Sequence, residues 1–403
     1  MKIVVAHNYY GDYAVGGEST VFEQEVRTLR ATGHDVETLV HANVELERAG
    51  WTTRLSAALH FKSSERVYRE TAELLKRTRA EILHVHNYKY VLTPAVFQAA
   101  RDLGVRTVLT LHNYRLIAPC GQLRRGTRVC ERCVGTCALH ALWTPGCASS
   151  LRNRALQNAY FWSTRDKVVS IVDAFIALSE FGKALFCRAG LPEDRVYVKH
   201  NFTDEPTCQS VHVAENFREE PFAVFVGRIA EEKGIELLID AWRDVPFNLL
   251  VVGDGPLLPR VRTLAPSNVD FLGQRSREET LRIMRRARTL LFPSLWYEGE
   301  PLAIVEASAL GVPIIASRLG ARATEIATFH AGELFDVGDR RALIESAQRI
   351  LTDKRYRDEL AAGARKMYET LNEPSTNIAR LLEIYRETLR RDPNHTGAQK
   401  CQF

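Results

Sequence analysis

Four groups of residues in this chain have the types and spacing to do chemistry. The densest is Trp296-Tyr297-Glu298-Gly299-Glu300-Pro301-Leu302-Ala303-Ile304-Val305-Glu306, where Glu298 and Glu306 stand eight residues apart. The run follows a strand-like stretch and opens a helix-like one. Glu298 then lies in the loop, and Glu306 about one turn inside the helix. The backbone of Gly299, Glu300, Pro301 and Leu302 falls at the helix start, where N–H groups and the helix dipole favour an anion or a hydroxyl. A first-turn carboxylate can also grip vicinal hydroxyls, as the ribose acid of a dinucleotide fold does. An acidic cap on a core helix would have the same spacing.

The second group is Val226-Gly227-Arg228-Ile229-Ala230-Glu231-Glu232-Lys233-Gly234, again a strand end leading to a helix. Arg228 and Lys233 can face one polyanion, the first as a fork and the second as a point charge. An exposed basic pair beside Glu231 and Glu232 would look the same. Two glycine turns, Gly16-Gly17 and Gly253-Asp254-Gly255-Pro256, also lie between strands and helices. Glycines there let the backbone come close to a phosphate, and Gly-Pro is equally an ordinary turn. The third group is His112, which follows a strand-like run at 107–111. By itself a histidine at a strand end reads as structural, and we read His84 and His86 that way.

The fourth group is a cysteine segment. Five of the eight cysteines fall in Cys120-x9-Cys130-x2-Cys133-x3-Cys137-x9-Cys147, with His140 inside it. Two thiolates of a Cys-x-x-Cys turn can reach one ion. Cys120, Cys137, Cys147 and His140 offer the remaining ligands. We take Cys120, Cys130, Cys133 and Cys147 as the candidate ligands of a structural zinc; reduced thiols or opportunistic disulfides are the other reading. No helix-borne His pair follows, which argues against a nucleic-acid finger. Arg115, Arg124, Arg125 and Arg128 make the segment basic, suited to a phosphate-bearing acceptor or simply to solvation.

Alternating strand and helix patterns would position these groups. Strands are expected at 2–6, 36–40, 82–85, 107–111, 175–177 and 196–199, with helices at 19–29, 55–75, 93–103 and 181–189 between them. A polar, aperiodic stretch at 203–220 reads as a linker. Strands at 222–226, 249–252, 269–272, 289–292 and 313–316 follow, alternating with helices at 235–242, 277–287, 302–310 and 340–351. The tail at 356–390 reads as helical in two pieces, broken near Asn372-Glu373-Pro374. This alternation builds parallel sheets with helices on both faces. The fold class is α/β, with two Rossmann-like doubly wound domains expected to face a cleft. We place the first at 1–203, with a Cys-rich insertion at 113–150, the second at 204–373, and a C-terminal helix and tail at 374–403.

Composition agrees. Hydrophobic residues make up 45% and charged residues 26%, too apolar for a long disordered chain. No apolar run approaches the ~20 residues of a membrane-spanning helix. With 54 basic and 49 acidic residues, the net charge of +5 lacks the basicity of a nucleic-acid binder. The expected location is cytoplasmic, with peripheral membrane contact open.

Taken together, Gly16-Gly17, Gly227-Arg228, Lys233-Gly234 and Glu298-x7-Glu306 resemble the retaining glycosyltransferases of family four (glycosyltransferase group 1), over about residues 1–390. The resemblance implies the GT-B fold, with C-terminal helices packing back toward the first domain. It implies transfer of a sugar from a nucleotide-diphosphate sugar to an acceptor hydroxyl with retention of anomeric configuration. Arg228 and Lys233 are placed like the pair that neutralises the diphosphate, Glu306 like the carboxylate on the ribose, and Glu298 like the one that orients the sugar hydroxyls. Gly227, Gly253, Gly255 and the segment Gly299, Glu300, Pro301 and Leu302 stand on the donor side. Gly16 and Gly17 would close over phosphates and sugar. His112 would position the sugar near its C6 side. Glu300 stands where many members carry an apolar or aromatic residue. No catalytic metal is expected, since two fixed cations can stabilise the departing diphosphate. The acceptor would be a small natural product, a polysaccharide or a lipid-linked glycan, and not a nucleic acid. A nucleotide-sugar epimerase and a non-catalytic nucleotide-sugar-binding subunit are the alternatives. Joint arrival of the Arg/Lys pair and the spaced glutamates disfavours the epimerase, and the presence of all five polar residues disfavours the inactive subunit.

Overall fold

The structure is a computed structural model that describes residues 1–10, 16–43, 64–89, 91–136, 138–144, 146–147, 150–205 and 221–392. Most of the expected linker, the start of the helix expected at 55–75, Cys137 and the tail beyond 392 lie outside the described residues. The described chain divides into two compact units, Met1–Gly126 with Cys130–His200 and Ser375–Phe403, and Asn201–Pro374 with Thr127–Val129.

The first unit holds a parallel sheet of β1 (Lys2–Tyr9), β2 (Asp35–Ala42), β3 (Ile82–Val85), β4 (Arg106–Leu111), β5 (Ala174–Ala177) and β6 (Val196–Val198). Their order is β2-β1-β3-β4-β5-β6. Its helices are α1 (Gly17–Ala31), α2 (Glu65–Thr78), α3 (Ala95–Asp102), α4 (Leu151–Ile171) and α5 (Glu180–Arg188). Every residue of β3 and of β5 is buried, as expected of strands covered on both faces. A 17-residue helix at Pro374–Arg390 also belongs to this unit, apart from its first residue. Its Tyr385 is buried, with its hydroxyl 2.7 Å from His84 Nδ1.

The second unit holds β7 (Phe222–Val226), β8 (Asn248–Val252), β9 (Val269–Gly273), β10 (Thr289–Phe292), β11 (Ile314–Ser317) and β12 (Gly332–Phe335). The parallel order is β9-β8-β7-β10-β11-β12. Its helices are α6 (Ile235–Ala241), α7 (Leu258–Leu264), α8 (Arg277–Arg286), α9 (Leu302–Ala309), α10 (Gly320–Phe329), α11 (Arg340–Thr352) and α12 (Lys354–Met367); the tail helix Pro374–Arg390 is α13. A π-turn at Tyr368–Asn372 separates α12 from α13, where the tail pattern breaks. Trp242 is fully buried, and its Nε1–H donates to Phe247 O at 2.8 Å.

Sequence reasoning did not mark α4, α7, α10 or β12. In α4 the buried positions include Asn158, Thr164 and Arg165, while Leu151, Leu156 and Trp162 are exposed. An amphipathic search for one apolar face therefore finds none there.

Candidate active site

In doubly wound sheets a ligand site forms at the carboxyl ends of the strands where the winding reverses. In the second unit the reversal lies between β7 and β10. The chain leaving β7 carries Gly227, Arg228 and Lys233; the chain leaving β10 carries Ser294, Trp296 and Glu298. Their backbones are joined. Leu295 N–H donates to Glu232 O at 2.9 Å, and Ser294 Oγ lies 3.3 Å from the same oxygen. Gly234 makes the approach close: its φ is +69°, and a Cβ there would lie 1.9 Å from Pro293 O. No L side chain fits that position.

This backbone contact sets the side chains. Lys233 Nζ lies 2.6 Å from Glu298 Oε1. Ser294 Oγ and Trp296 Nε1 donate to the same oxygen at 3.0 and 2.8 Å. All three contacts fall on Oε1. The pair is only slightly exposed, 19% for the Lys233 side chain and 13% for Glu298, so its field is less screened than a surface pair's. Arg228 is 60% exposed and bonded to Glu232 within the same turn. An exposed guanidinium beside a largely shielded ammonium can meet a polyanion that arrives from solvent.

Gly227 and Gly253 stand together in the loops. Gly227 N–H donates to Val252 O at 3.0 Å, and a Cβ on Gly253 would lie 2.0 Å from Gly227 O. A Cβ on Gly255 would lie 2.4 Å from Ile229 O. These glycines hold two loops in backbone contact, a packing reason that stands beside their expected place near a donor.

Glu306 lies in α9 and is buried, and Arg277 at the start of α8 reaches its Oε1 at 2.9 Å. Burial raises the Glu306 carboxyl above its ordinary range, with Arg277 opposing. Gly299, Pro301 and Leu302 form the entry to α9, with Ile304 N–H donating to Pro301 O at 3.0 Å. Glu300 is different. Its carboxylate is buried and bonded to Arg322, the Asn201 N–H and, at 2.9 Å, Asn372 Nδ2. The side chain fastens this loop from inside, and Asn201 Nδ2 donates to the Glu300 carbonyl at 3.1 Å.

The first sheet reverses between β1 and β3. His7 lies in β1, His86 just past β3, and His112 just past β4. His86 Nδ1 lies 2.9 Å from His112 Nε2, with the rings stacked at 5.1 Å between centroids. His112 is partly buried and lines a pocket with Lys89, Arg115 and Tyr160. Burial above all holds it well below the ordinary histidine value. Beneath lies buried Glu25 of α1, within hydrogen-bond range of both His84 and His86 and 2.6 Å from Lys199 Nζ. His86, read from the sequence as structural, is in contact with His112. The available signal was the spacing His84-x-His86, since alternate residues of a strand share a face. Glu25, Lys199 and Arg277 carried no such signal. Gly16 and Gly17 begin α1; Ser19 N–H donates to Gly16 O at 2.9 Å, and open space surrounds the Cβ position of Gly16.

The four candidate zinc thiols act on one another electrostatically: Cys133 responds to Cys120, Cys147 and Cys130. Burial first, and then these neighbours, push the Cys133 thiol up to about 12 and the Cys147 thiol to about 11.

The reversal point of the second sheet thus holds a cation and a carboxylate in contact. Residues 15–205 match the model described as Glycosyltransferase Family 4, and residues 210–367 match that of Glycosyl transferases group 1. The chain belongs to the group 1 glycosyltransferases. It is 24% identical over 268 residues to a glycosyltransferase of Methanocaldococcus jannaschii, covering 58% of this chain and 75% of that protein. It is 27% identical over 212 residues to the N-acetyl-alpha-D-glucosaminyl L-malate synthase of Bacillus anthracis, covering 50% of this chain and 53% of the enzyme. Against solved GT-B structures the fold is shared. The Anabaena HepE–UDP complex aligns with a TM-score of 0.65 at 16% identity, covering 96% of this chain and all of that one. A sucrose-phosphate synthase from Thermosynechococcus elongatus aligns at 0.70 and 18% identity, covering 96% and 99%. Among the described residues no helix is long and apolar enough to cross a membrane.

Proposed function

We propose that this protein transfers a sugar from a nucleoside-diphosphate sugar to an acceptor hydroxyl with retention of configuration. The observation that carries the reading is Lys233 Nζ held 2.6 Å from Glu298 at the reversal of the second sheet, with Arg228 in the same turn. The anomeric C–O bond to the diphosphate breaks, and negative charge develops on the leaving oxygen. Lys233 and Arg228 stabilise that charge from fixed positions. The acceptor oxygen forms its bond on the face just vacated, and its proton passes to the departing phosphate oxygen. Such a step uses no flanking pair of carboxylic acids, unlike a glycosidase, and no divalent cation. Glu298 orients the sugar hydroxyls, Glu306 holds the ribose, and His112 positions the sugar near its C6 side. UDP, seen with the Anabaena neighbour, is the first nucleotide to try. Incubating the protein with UDP- and GDP-sugars in EDTA should release nucleoside diphosphate, and the product's anomeric proton coupling should match the donor's. Inverted product, or turnover only with added magnesium or manganese, would refute the mechanism.

The two glutamates should separate. Glu306→Ala should weaken binding of free nucleoside diphosphate about tenfold or more, the worth of roughly one charged hydrogen bond. Glu298→Ala should leave that binding within a few-fold yet depress turnover of intact donor. Calorimetry with UDP and steady-state rates would show it; equal effects on both ligands would remove the division of roles.

We keep Cys120, Cys130, Cys133 and Cys147 as the proposed ligands of a structural zinc on their Cys-x-x-Cys spacing; among the described residues the metal-sized cluster is Glu25, His84 and His86, so these thiols would have to draw together around the ion. Protein purified without added metal is expected to hold about one zinc equivalent, and Cys130→Ser to lose it together with thermal stability. Metal-free protein of unchanged melting temperature would assign these residues as ordinary thiols.

Peripheral membrane contact draws support from Leu139, Trp143, Leu151, Leu156 and Trp162, five large apolar side chains left exposed in the first unit. Arg152 and Arg154 interleave with them, a composition suited to an anionic lipid surface carrying the acceptor.

A further inference from the structure

His112 is held by a buried chain of charged and polar groups. Lys199 Nζ lies 2.6 Å from Glu25 Oε2, and His86 Nε2 lies 3.2 Å from Glu25 Oε1. His84 Nδ1 is 3.1 Å from Glu25 Oε1, and its Nε2 is 2.7 Å from Thr110 Oγ1. All these side chains are buried. Burial opposes ionisation of Glu25, but the Lys199 ammonium above all, with a hydrogen bond from His84, holds the carboxyl well below its ordinary value. Glu25 is therefore an acceptor, and the His86 nitrogen facing it, Nε2, carries the hydrogen.

Lys199 balances Glu25 within the cluster. With a single hydrogen, on Nε2, the His86 ring offers Nδ1 as an acceptor, and 2.9 Å from it stands His112 Nε2. One of two nitrogens at that distance must donate, so His112 Nε2 carries the hydrogen. Burial disfavours the charged form of His112. Its Nδ1 then keeps a lone pair, on a partly exposed ring that lines the pocket.

The geometry points to Glu25 and His86 as positioning residues that lock His112 in its Nε2–H tautomer, so that His112 meets a ligand hydroxyl as a hydrogen-bond acceptor. The hydroxyl belongs to the sugar donor or to the acceptor; that half rests on the glycosyl-transfer reading, and the tautomer does not. The same ligand atoms of Glu25, His84 and His86 lie within 4.8 Å of one another, close enough for a metal ion. The Lys199 ammonium on the shared carboxylate supplies that positive charge from within the chain.

Nitrogen chemical shifts of histidine-labelled protein at neutral pH test this directly. His112 should show a protonated Nε2 and a bare Nδ1. His86→Gln can mimic the chain, because its amide N–H donates to Glu25 and its carbonyl accepts from His112. It should keep the tautomer and turnover within about threefold. His86→Leu should lose the tautomer preference and lower kcat on the order of 10–100-fold, as loss of an orienting partner does elsewhere, with donor KM nearly unchanged. Melting curves identify folded variants; where the leucine variant does not fold, the wild-type spectrum and the glutamine variant decide. A protonated Nδ1 on wild-type His112, or a folded leucine variant with the wild-type tautomer and kcat, would overturn the inference. If the wild type turned over no nucleotide sugar, the functional reading would fall while the nitrogen shifts still judged the tautomer.

Discussion

Lys233→Ala is expected to lower turnover by ~10²–10³, a loss of roughly 3–4 kcal/mol of transition-state stabilisation. Two effects add. The ammonium no longer meets the charge that develops on the leaving diphosphate. Glu298 also loses the cation 2.6 Å from its Oε1, so the carboxylate that should orient the sugar is held only by Ser294 and Trp296. Lys233→Arg keeps the charge but replaces a compact ammonium with a planar fork, so partial activity is expected. Arg228→Ala should lose less, because Arg228 is 60% exposed and its contact to a diphosphate competes with water. Steady-state release of nucleoside diphosphate measures all three. Near wild-type kcat in both alanine variants would remove this pair from the chemistry.

Glu25→Ala should destabilise the first unit by about 3–5 kcal/mol, because it strips the carboxylate from a buried ammonium and two buried rings. At ~2–4 °C per kcal/mol for a domain of the first unit's size, its melting temperature should fall by about 6–20 °C. The double variant Glu25→Ala/Lys199→Met removes both charges and should recover much of the loss, since an apolar pair in such a place is often neutral or better. Thermal unfolding of wild type and both variants gives the comparison. A single variant within about 1 kcal/mol of wild type would mean that Lys199 finds its compensation elsewhere.

Legibility in the sequence followed the physics of each element. Strands such as β7 and β10 are short apolar runs closed by turn residues, and the pattern finds them. Helix α4 hides because its buried face is partly polar, Asn158, Thr164 and Arg165, and no window records what those residues pack against. The two glutamates and the Arg/Lys pair were visible because each sits a fixed step from a strand end. Their partners were not. Arg277 reaches Glu306 across 29 positions, and Lys199 reaches Glu25 across 174. Contacts over such distances depend on strand order, which a local pattern does not contain. The cation on Glu298 was foreseeable as chemistry, but only the fold shows that a glycine's missing side chain makes the approach.

The return of α13 to the first unit has a consequence for the order of assembly. Residues Asn201–Pro374 of the second unit are nearly contiguous in the chain and can condense as they are made, whereas the first unit needs both ends. His84 waits for Tyr385, 301 residues later. At the ~5–20 residues per second of synthesis, that wait is about 15–60 s. During it, buried positions of the first sheet lie open to solvent and to other chains, and the closing contact pays a long-loop entropy. Removal of α13 should therefore leave an intact second unit attached to a half-closed, aggregation-prone first one, and a chaperone that shields nascent apolar surface should raise the yield of the whole protein more than that of its second unit alone.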